Sequence, residues 1–463
     1  MRKEYQLLLF MRNLMTGIMA PVLMLLLLSR GADIASLSLV LGAFSLTVII
    51  TEFPSGVFAD LYGRKNAFLL AMALMMASYG LLLLSQTTAL LLPAIILHGL
   101  GRAFSSGSID ALALDEASGD AALARTSARI SILESAGLAL GALLGGALAG
   151  IGEAYSANLV LCLALSFALL LLSALLVRER RTPRPAAASK GRGALGQITL
   201  QMRDGLRFMI RRGTVRMLFL LGMFTGVMLF AVETYWQPAL MAMNAPPWLL
   251  GVVTSAGFAA VMAGAKLSER LLVRKPNTVI GLMLLQKALL GAALLLLALL
   301  TRLEWFTAIY LLLYCTLGGA GVAESILLNR AAPPAQRAGI LSLFSFVTQV
   351  GGLLASLLGF VITRQAGFQW VWIVNGIMMI LFVCAVTVWY AIQRHRQAPN
   401  GFAADPTQRI GLDTAPQTEA EEAAAALGAA LQGTSLEHLA AATFLTLSQH
   451  TAASAAETAR DDD

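Results

Sequence analysis

Long apolar runs alternate with short polar connections along most of the 463-residue chain. The runs are about 20 residues long, which is the length an α-helix needs to cross the hydrocarbon core of a bilayer. They lack the two-residue alternation of a membrane β-strand, so the pattern predicts helices. The predicted spans are residues 5–28, 34–58, 66–85, 88–110, 127–150, 156–177, 214–240, 247–268, 277–300, 304–327, 338–363 and 369–392.

Composition argues against the alternative of a large soluble helical protein. The chain is 58% hydrophobic and only 13% charged, and its mean hydropathy is +0.75. Soluble domains contain about 25% charged residues, so this chain has too little polar surface to cover twelve core helices. Arg12 and Asn13 interrupt the first run, which is also too long for a cleaved signal peptide, and we expect it to remain as a span.

The distribution of Lys and Arg predicts the orientation of these spans. With a cytoplasmic N-terminus, Arg30, Arg302 and Arg364 are the basic residues of the outer loops, and the inner loops hold most of the others. We therefore predict that both termini are cytoplasmic, in a bacterial inner membrane. Contact of the inner loops with anionic membrane lipids accounts for the net charge of +7, without a nucleic-acid partner.

The longest connection, residues 178–213, divides the chain into two sets of six spans. Gly107 and Asp110 near the end of the fourth span recur as Gly321 and Glu324 near the end of the tenth, which favours an internal repeat. The tail is rich in Ala, Thr, Glu and Gln, and we expect it to be mostly disordered. The predicted domains are an N-terminal six-helix bundle at 1–177, a cytoplasmic central loop with an interfacial helix at 178–213, a C-terminal six-helix bundle at 214–392, and a cytoplasmic tail at 393–463.

The connection between the second and third spans, "SGVFADLYGRKN", concentrates charges and glycines. Its Gly56, Asp60, Gly63, Arg64 and Lys65 match the pattern Gly-x-x-x-Asp-x-x-Gly-Arg-Lys. With twelve spans and a basic central loop, the chain resembles the major facilitator superfamily, whose motif A has this pattern. The resemblance implies an all-α membrane protein with twelve transmembrane helices in two pseudo-symmetric six-helix bundles. It also implies that the motif holds the cytoplasmic side shut; a topology signal alone leaves Asp60 and the glycines unexplained.

A stripe of glycines follows in the fifth span. Gly137, Gly141, Gly145 and Gly146 resemble motif C of the same family, which is associated with antiporters and drug efflux. Ala142 stands where that motif has proline, and the missing proline weakens the implied efflux function. Close helix packing is the alternative role, because glycines four residues apart allow helices in lipid to approach each other.

Ionisable residues lie inside the predicted spans of the first half. Arg12, Glu52, Arg102 and Glu134 are each about 10–12 Å from the cytoplasmic ends of their helices, and Asp110 ends the fourth span. Charges in lipid usually face a cavity or a partner, so these five are candidates for proton coupling. We expect Arg102 to pair with Glu134 or Glu52; Arg102 also resembles the arginine of the family's motif B, which is linked to proton transfer. A static ion-pair cluster is the alternative.

The seventh span contains "VETYWQP", which combines a carboxylate with aromatic rings. Glu233, Tyr235 and Trp236 are therefore candidates for binding an organic cation, although an interfacial aromatic belt is the alternative. Lys287 lies near the middle of the ninth span and is expected to pair with Glu233 or to face an anionic ligand. Asn13 completes the set of substrate-binding candidates.

Taken together, the sequence predicts a secondary transporter that works by alternating access. We expect a small-molecule substrate and protons as its ligands, proton-coupled efflux as its direction, and a monomer as its functional unit. An uptake symporter and a non-transporting scaffold or sensor are the alternatives. We do not expect an enzyme, a cofactor or a metal site, because the sequence shows no nucleophile–base pairing, no phosphate-binding loop and no zinc-ligand spacing.

Overall fold

A computed structural model describes residues 1–116, 120–179, 213–331 and 337–396. Within these ranges the regular structure is helical. Nearly all of the predicted central loop and all of the tail beyond residue 396 lie outside the described residues, so the interfacial helix and the disorder of the tail stay predictions.

Fourteen α-helices are described. The first half contains α1 (Lys3–Met19), α2 (Leu23–Ser29), α3 (Ile34–Tyr62), α4 (Arg64–Leu84), α5 (Thr88–Ser105), α6 (Ile109–Asp115), α7 (Asp120–Leu148) and α8 (Ser156–Leu176). The second half contains α9 (Gly213–Ala242), α10 (Pro247–Arg274), α11 (Val279–Leu299), α12 (Leu303–Ala331), α13 (Arg337–Ala366) and α14 (Phe368–Arg396), with a 3₁₀ turn at Pro276–Thr278.

These helices are long and apolar enough to supply the predicted membrane spans. In the described residues, 11 helical segments meet the requirement, and α1 with α2 forms a twelfth span that bends by 53°. The fourth span combines α5 and α6. The twelve-helix prediction is therefore confirmed.

The two halves repeat the same packing. In the first half α1 packs on α7, α3 on α5, and α4 on both α5 and α8. The second half repeats this with α9 on α13, α10 on α12, and α11 on both α12 and α14. Between the halves α3 packs on α13 and α10 packs on α7, and these two pairs exchange when the halves are swapped. The predicted pair of pseudo-symmetric bundles is confirmed.

The bend in the first span has one cause in its sequence. Pro21 lies between α1 and α2, and proline has no backbone N–H and clashes with the carbonyl of the preceding turn. The chain therefore leaves helical geometry after Met19 and resumes it at Leu23. This break lies close to the boundary between the halves.

The halves are joined on one side of the bundle. We call the side that carries the start of α1 the N-terminal side, and the side that carries the α2–α3 turn the distal side. In the distal half of the bundle the backbones of Gly146 and Gly251 touch, and the Ser255 hydroxyl donates to the carbonyl of Ala139 at 3.0 Å. The structure is therefore closed on the distal side.

Candidate coupling and gating site

A buried charge cluster lies in the first half, where α1, α6 and α7 meet. The guanidinium of Arg12 donates to both oxygens of Asp110, at 2.9 and 3.2 Å, and to Oε1 of Glu134 at 3.2 Å. Arg12, Asp110 and Glu134 are 3%, 6% and 1% exposed. Fork geometry of this kind fixes the positions of both carboxylates relative to the arginine.

Helix packing brings these three groups together. Arg12 and Asn13 are on α1, and Asn13 packs its Cβ against Gly137 of α7, one turn from Glu134. The amide of Asn13 donates to the Leu9 carbonyl of its own helix at 2.9 Å and is buried. Asn13, predicted to bind substrate, is thus part of the α1–α7 contact in this structure.

The other two coupling candidates lie on α3 and α5. Arg102 is buried in the last turn of α5, and Glu52 of α3 is half-buried. One turn before Arg102, the ring of His98 lies between the rings of Phe44 and Tyr79, with centroids 5.9 and 5.6 Å away. Arg12 is one partner of Glu134, a pairing that we did not predict, and the predicted pairing of Arg102 with Glu134 or Glu52 stays a prediction.

The second half contains a smaller buried charge group. Lys287 of α11 is fully buried and lies 2.7 Å from Oε1 of Glu324 on α12. Its ammonium also donates to the hydroxyl of Thr225 on α9. The partner of Lys287 in the structure is thus Glu324 and not Glu233, and the alternative of an anionic ligand stays a prediction.

These two charge groups occupy corresponding places in the repeat. Glu324 follows Asp110 by 214 positions, and Thr225 follows Arg12 by 213. The same offset relates two helix contacts. In the first half Gly137 of α7 packs on the carbonyl of Phe10, and in the second half Gly351 of α13 packs on the carbonyl of Met223. Thr348 then corresponds to Glu134. The second half therefore lacks the arginine and one carboxylate, and Lys287 supplies its cation from a different helix.

The aromatic segment of α9 divides between two environments. Glu233 accepts a hydrogen bond from Tyr314, and Trp236 packs on Tyr310 with ring centroids 5.0 Å apart, all inside the second half. Tyr235 instead faces the first half.

The Tyr235 hydroxyl shares hydrogen bonds with Ser38 of α3 and with Thr363 of α13, the latter at 3.0 Å. Tyr235 therefore joins the two halves on the distal side, whereas Glu233 and Trp236 form one cluster within the second half. The predicted substrate residues do not share a single site in this state.

The motif A turn contacts other parts of the first half. Gly63 has φ +99° between α3 and α4, a conformation that glycine adopts without strain. The Glu179 carboxylate accepts from the backbone N–H groups of Arg64 and Lys65, at 3.0 and 3.1 Å, which is favourable at the start of a helix. Lys65 donates to two carbonyls at the end of α8, and Arg64 pairs with the half-exposed Asp115.

Two members of motif A contribute less to this geometry. A Cβ on Gly56 would have no described atom within 4 Å, so this glycine is not a close-packing contact here. The side chain of Asp60 lies outside the part of the chain that the structure describes. The predicted role of the motif in closing the N-terminal side is not tested by this distally closed structure.

The glycine stripe of α7 serves two contacts. A Cβ on Gly137, Gly141 or Gly145 would meet α1 backbone atoms at 2.8, 2.3 and 2.2 Å, so these positions require glycine for the α1–α7 approach. Gly146 touches Gly251 of α10 instead. One helix therefore connects the buried charge cluster to the boundary between the halves.

Several residues at these sites were not among the predicted site residues. Glu324 was visible in the repeat, and the same offset would have identified Thr225 as the counterpart of Arg12. Gln237, which hydrogen-bonds to Met24 and Ala20 of the first half, was visible only as part of an aromatic segment. Glu179 gave no signal, because its role depends on α8 ending beside the α3–α4 turn.

Comparison with known proteins now places this twelve-helix protein in a class of membrane transporters. The family model of the Major Facilitator Superfamily matches residues 7–331, and the chain belongs to this family. A relative is the uncharacterized MFS-type transporter YxaM of Bacillus subtilis (strain 168), 23% identical over 248 residues. The match covers 53% of this chain and 60% of YxaM, so it spans less than two thirds of that relative.

Solved transporter structures share the fold. The nucleoside transporter NupG has a TM-score of 0.68 at 16% identity, covering 84% of this chain and 98% of NupG. A POT family transporter in complex with 5-aminolevulinic acid has a TM-score of 0.66 at 13% identity, covering 83% and 95%. A bacterial homolog of the human lysosomal transporter Spinster, in an inward-facing and unoccupied conformation, has 0.61 at 16% identity, covering 98% and 96%.

Proposed function

We propose that this transporter is a proton-coupled antiporter that exports a small amphiphilic or cationic compound by alternating access. The observation that carries the proposal is the buried Arg12–Asp110–Glu134 cluster. It combines two carboxyl groups with one guanidinium, so it carries one excess negative charge when both carboxyl groups are ionised.

The excess charge favours the uptake of one proton. Adding Arg102 and Glu52 brings one further cation and one further carboxylate, so the excess remains the same. Uncompensated charge is costly inside a membrane, and one bound proton removes it. Protonation of Glu134 would weaken its hold on Arg12 and loosen the connection between α1 and α7.

The glycine stripe offers a route from this cluster to the gate. Glu134 and Gly146 are on the same helix, and Gly146 touches the second half at Gly251. A change in the α1–α7 contact would therefore shift the boundary between the halves. Coupling of this kind requires an element with two arrangements that both sites influence, and we infer that α7 is this element because it contacts both sites.

The substrate would bind between the halves near the middle of the membrane. The cluster of Glu233, Trp236, Tyr310 and Tyr314 lies within the second half in this state, and we infer that it becomes accessible from the boundary in another state. A cationic, partly aromatic compound would suit it, since aromatic faces and a carboxylate attract cations. We further infer a division into bundles at 1–177 and 214–392, a monomeric unit in contact with lipids, and cytoplasmic termini in a bacterial cell membrane.

A growth assay tests this function. The chain is expressed in a bacterial host that lacks its own efflux pumps, and growth is measured against a panel of toxic lipophilic cations. We expect protection that is lost in Glu134→Gln and kept in Glu304→Gln, which removes an exposed carboxylate of α12. Addition of a protective compound to everted vesicles should also release a preformed proton gradient.

Uptake is the second candidate function. The observation that favours it is Ala142, since the resembled efflux motif has proline at that position. Increased sensitivity of the expressing cells to a toxic nutrient analogue, such as a nucleoside of the kind NupG is named for, would show uptake. That result would contradict export, while protection that does not change in Glu134→Gln would contradict proton coupling at this cluster.

A further inference from the structure

The side chain of Gln237 is inserted into the break between α1 and α2. Its Oε1 accepts from the backbone N–H of Met24 at 3.0 Å, and its Nε2 donates to the carbonyl of Ala20 at 2.8 Å. Gln237 is 1% exposed and belongs to α9, so it reaches across the boundary between the halves.

Met24 and Ala20 are partners in an uninterrupted helix. An α-helix joins each N–H to the carbonyl four residues earlier, and this is the spacing of these two residues. The Gln237 amide therefore takes the place of one helical hydrogen bond. Its oxygen accepts from the Met24 N–H and its nitrogen donates to the Ala20 carbonyl, the two groups that would otherwise pair with each other. Side chains that enter the hydrogen-bond ladder are a recognised cause of sharp bends, and the first span bends here by 53°.

The position lies on the pseudo-twofold axis. Gln237 follows Met24 by 213 residues, which is the offset that relates Thr225 to Arg12. Corresponding positions of two related halves meet only near their symmetry axis. A connection at the axis holds the halves together on the distal side, beside the Tyr235 contact with Ser38.

We propose that Gln237 is a positioning residue of the transport cycle that couples the bend of the first span to closure of the distal side. While the distal side is closed, Gln237 holds the bent form. When the halves separate, the amide withdraws and the Met24 N–H pairs with the Ala20 carbonyl, so α1 and α2 move toward one straighter helix. Both states leave these buried backbone groups satisfied, as a membrane interior requires.

This proposal rests on alternating access in the proposed function, but not on its direction or its coupling ion. The alternative is that Gln237 is a static cap for the broken helix. The two differ in the effect of Pro21: if Gln237 exchanges with the helical bond, Pro21→Ala should favour the straight form, because it restores an N–H and removes the ring clash.

The test measures the distal opening directly. Cys162, Cys315 and Cys384 are replaced by Ser, and spin labels are attached at Gln86→Cys and Arg302→Cys, which are exposed distal positions in different halves. Pulsed electron paramagnetic resonance then gives the distance distribution between the labels. Since Gln237→Leu removes two buried hydrogen bonds from the closed state, we expect the open-to-closed ratio to rise roughly tenfold.

Matched variants make the result specific. Gln286→Leu removes a buried glutamine that donates to Ser268 within the second half, at 2.6 Å, and should leave the distribution unchanged. Gln237→Asn keeps the amide on a side chain too short to reach both groups, and it should act in the same direction as Gln237→Leu. It also covers the case in which Gln237→Leu does not fold.

The decisive comparison is the double variant. Pro21→Ala should shift the distribution toward the open form, and adding Gln237→Leu to it should have less effect than in the wild-type background. Hydrogen exchange of the Met24 amide should stay slow in Gln237→Leu. An unchanged distribution in Gln237→Leu and Gln237→Asn, or fully additive shifts with Pro21→Ala, would overturn the proposal and leave Gln237 as a static cap. Neither outcome depends on Glu134, so the proposed proton coupling is tested separately.

Discussion

The two halves share one scaffold but differ in their buried charges. In the first half Arg12 binds Asp110 and Glu134, so two carboxyl groups share one cation. In the second half Lys287 and Glu324 form a balanced pair. The same helix packing therefore holds one group with more carboxylates than cations and one neutral ion pair, and under the proposed function only the first group takes up a proton.

The largest expected effect comes from removing the carboxylate of the balanced pair. Glu324→Gln leaves the fully buried ammonium of Lys287 without its counter-ion, and we expect a loss of about 3–5 kcal/mol in the free energy of unfolding. Glu134→Gln leaves Arg12 paired with Asp110, so its loss should be about 1–2 kcal/mol. Unfolding by SDS in mixed micelles measures both values.

A double replacement serves as the control for that difference. Lys287→Met with Glu324→Leu removes both charges, and such replacements are often neutral or stabilising. Recovery of most of the lost stability is therefore expected. Equal losses for Glu324→Gln and Glu134→Gln would refute the distinction between the two charge groups.

Transport should depend on the first group more than on the second. Asp110→Asn removes one of the two carboxylates beside Arg12, and we expect transport driven by a pH gradient to slow at least tenfold, which corresponds to about 1.4 kcal/mol. Thr225→Val changes the corresponding place in the second half and should keep the pH-driven rate within a few-fold. Everted vesicles and a compound from the growth screen provide the measurement, and similar losses in both variants would contradict the assignment.

The glycine stripes should also differ. A Cβ at Gly141 would lie 2.3 Å from the Leu14 carbonyl, whereas the corresponding residue of the second half is already Ala355. Gly141→Ala should therefore cost about 1–3 kcal/mol of stability, since backbone atoms must move. Gly80→Ala is the control, because a Cβ there has no described neighbour within 4 Å. Its thermal stability in detergent should be equal to or above that of the wild type.

The smallest effect concerns the starts of α3 and α10, which correspond in the repeat. Asp33 caps α3 by accepting from the Ser36 N–H at 2.6 Å, whereas Pro246 precedes α10. Hydrogen bonds from Ser36, together with the charge of Arg364, lower the pKa of Asp33 below its usual value. Asp33→Ala should cost at most about 1 kcal/mol, because this side chain is exposed.

The acid dependence of that cap has a defined sign. Because the folded-state pKa is lowered, the contribution is fully present above the unfolded pKa of about 3.9 and is lost as the pH falls through the folded value. Stability measured from pH 6 down to pH 3 should therefore converge between wild type and Asp33→Ala. A difference that grows toward acid pH would contradict this role.

Much of the architecture could be predicted because lipid restricts the choices. Twelve apolar runs can cross a bilayer only as helices. Gly63, Arg64 and Lys65 lie at the α3–α4 turn and Gly56 lies within α3, and together they carry a pattern that is specific to the family. The break at Pro21 was not predicted, and proline alone does not determine such a break, because Pro54, Pro93 and Pro238 lie inside continuous helices. The predicted spans differ from the observed helices mainly at their ends, which extend beyond the apolar core into polar residues.

The site was predicted in its members but not in its contacts. Arg12, Asp110 and Glu134 were recognised as buried ionisable residues, yet their grouping depends on how α1, α6 and α7 are placed. Lys287 was recognised as unusual, and its partner Glu324 lies on the next helix, 37 positions further along the chain. Pairing of this kind depends on helix rotation and depth, which a hydrophobic run does not encode.

The sequence alone determined that this chain spans a membrane with twelve helices in two repeated halves, because backbone hydrogen bonding and hydrophobicity act locally along each segment. The tertiary structure decided which charges meet, that Arg12 contacts two carboxylates whereas Lys287 pairs with one, and that Gln237 enters the broken first span. Those outcomes depend on side-chain directions between helices that are far apart in the chain, and only packing fixes them.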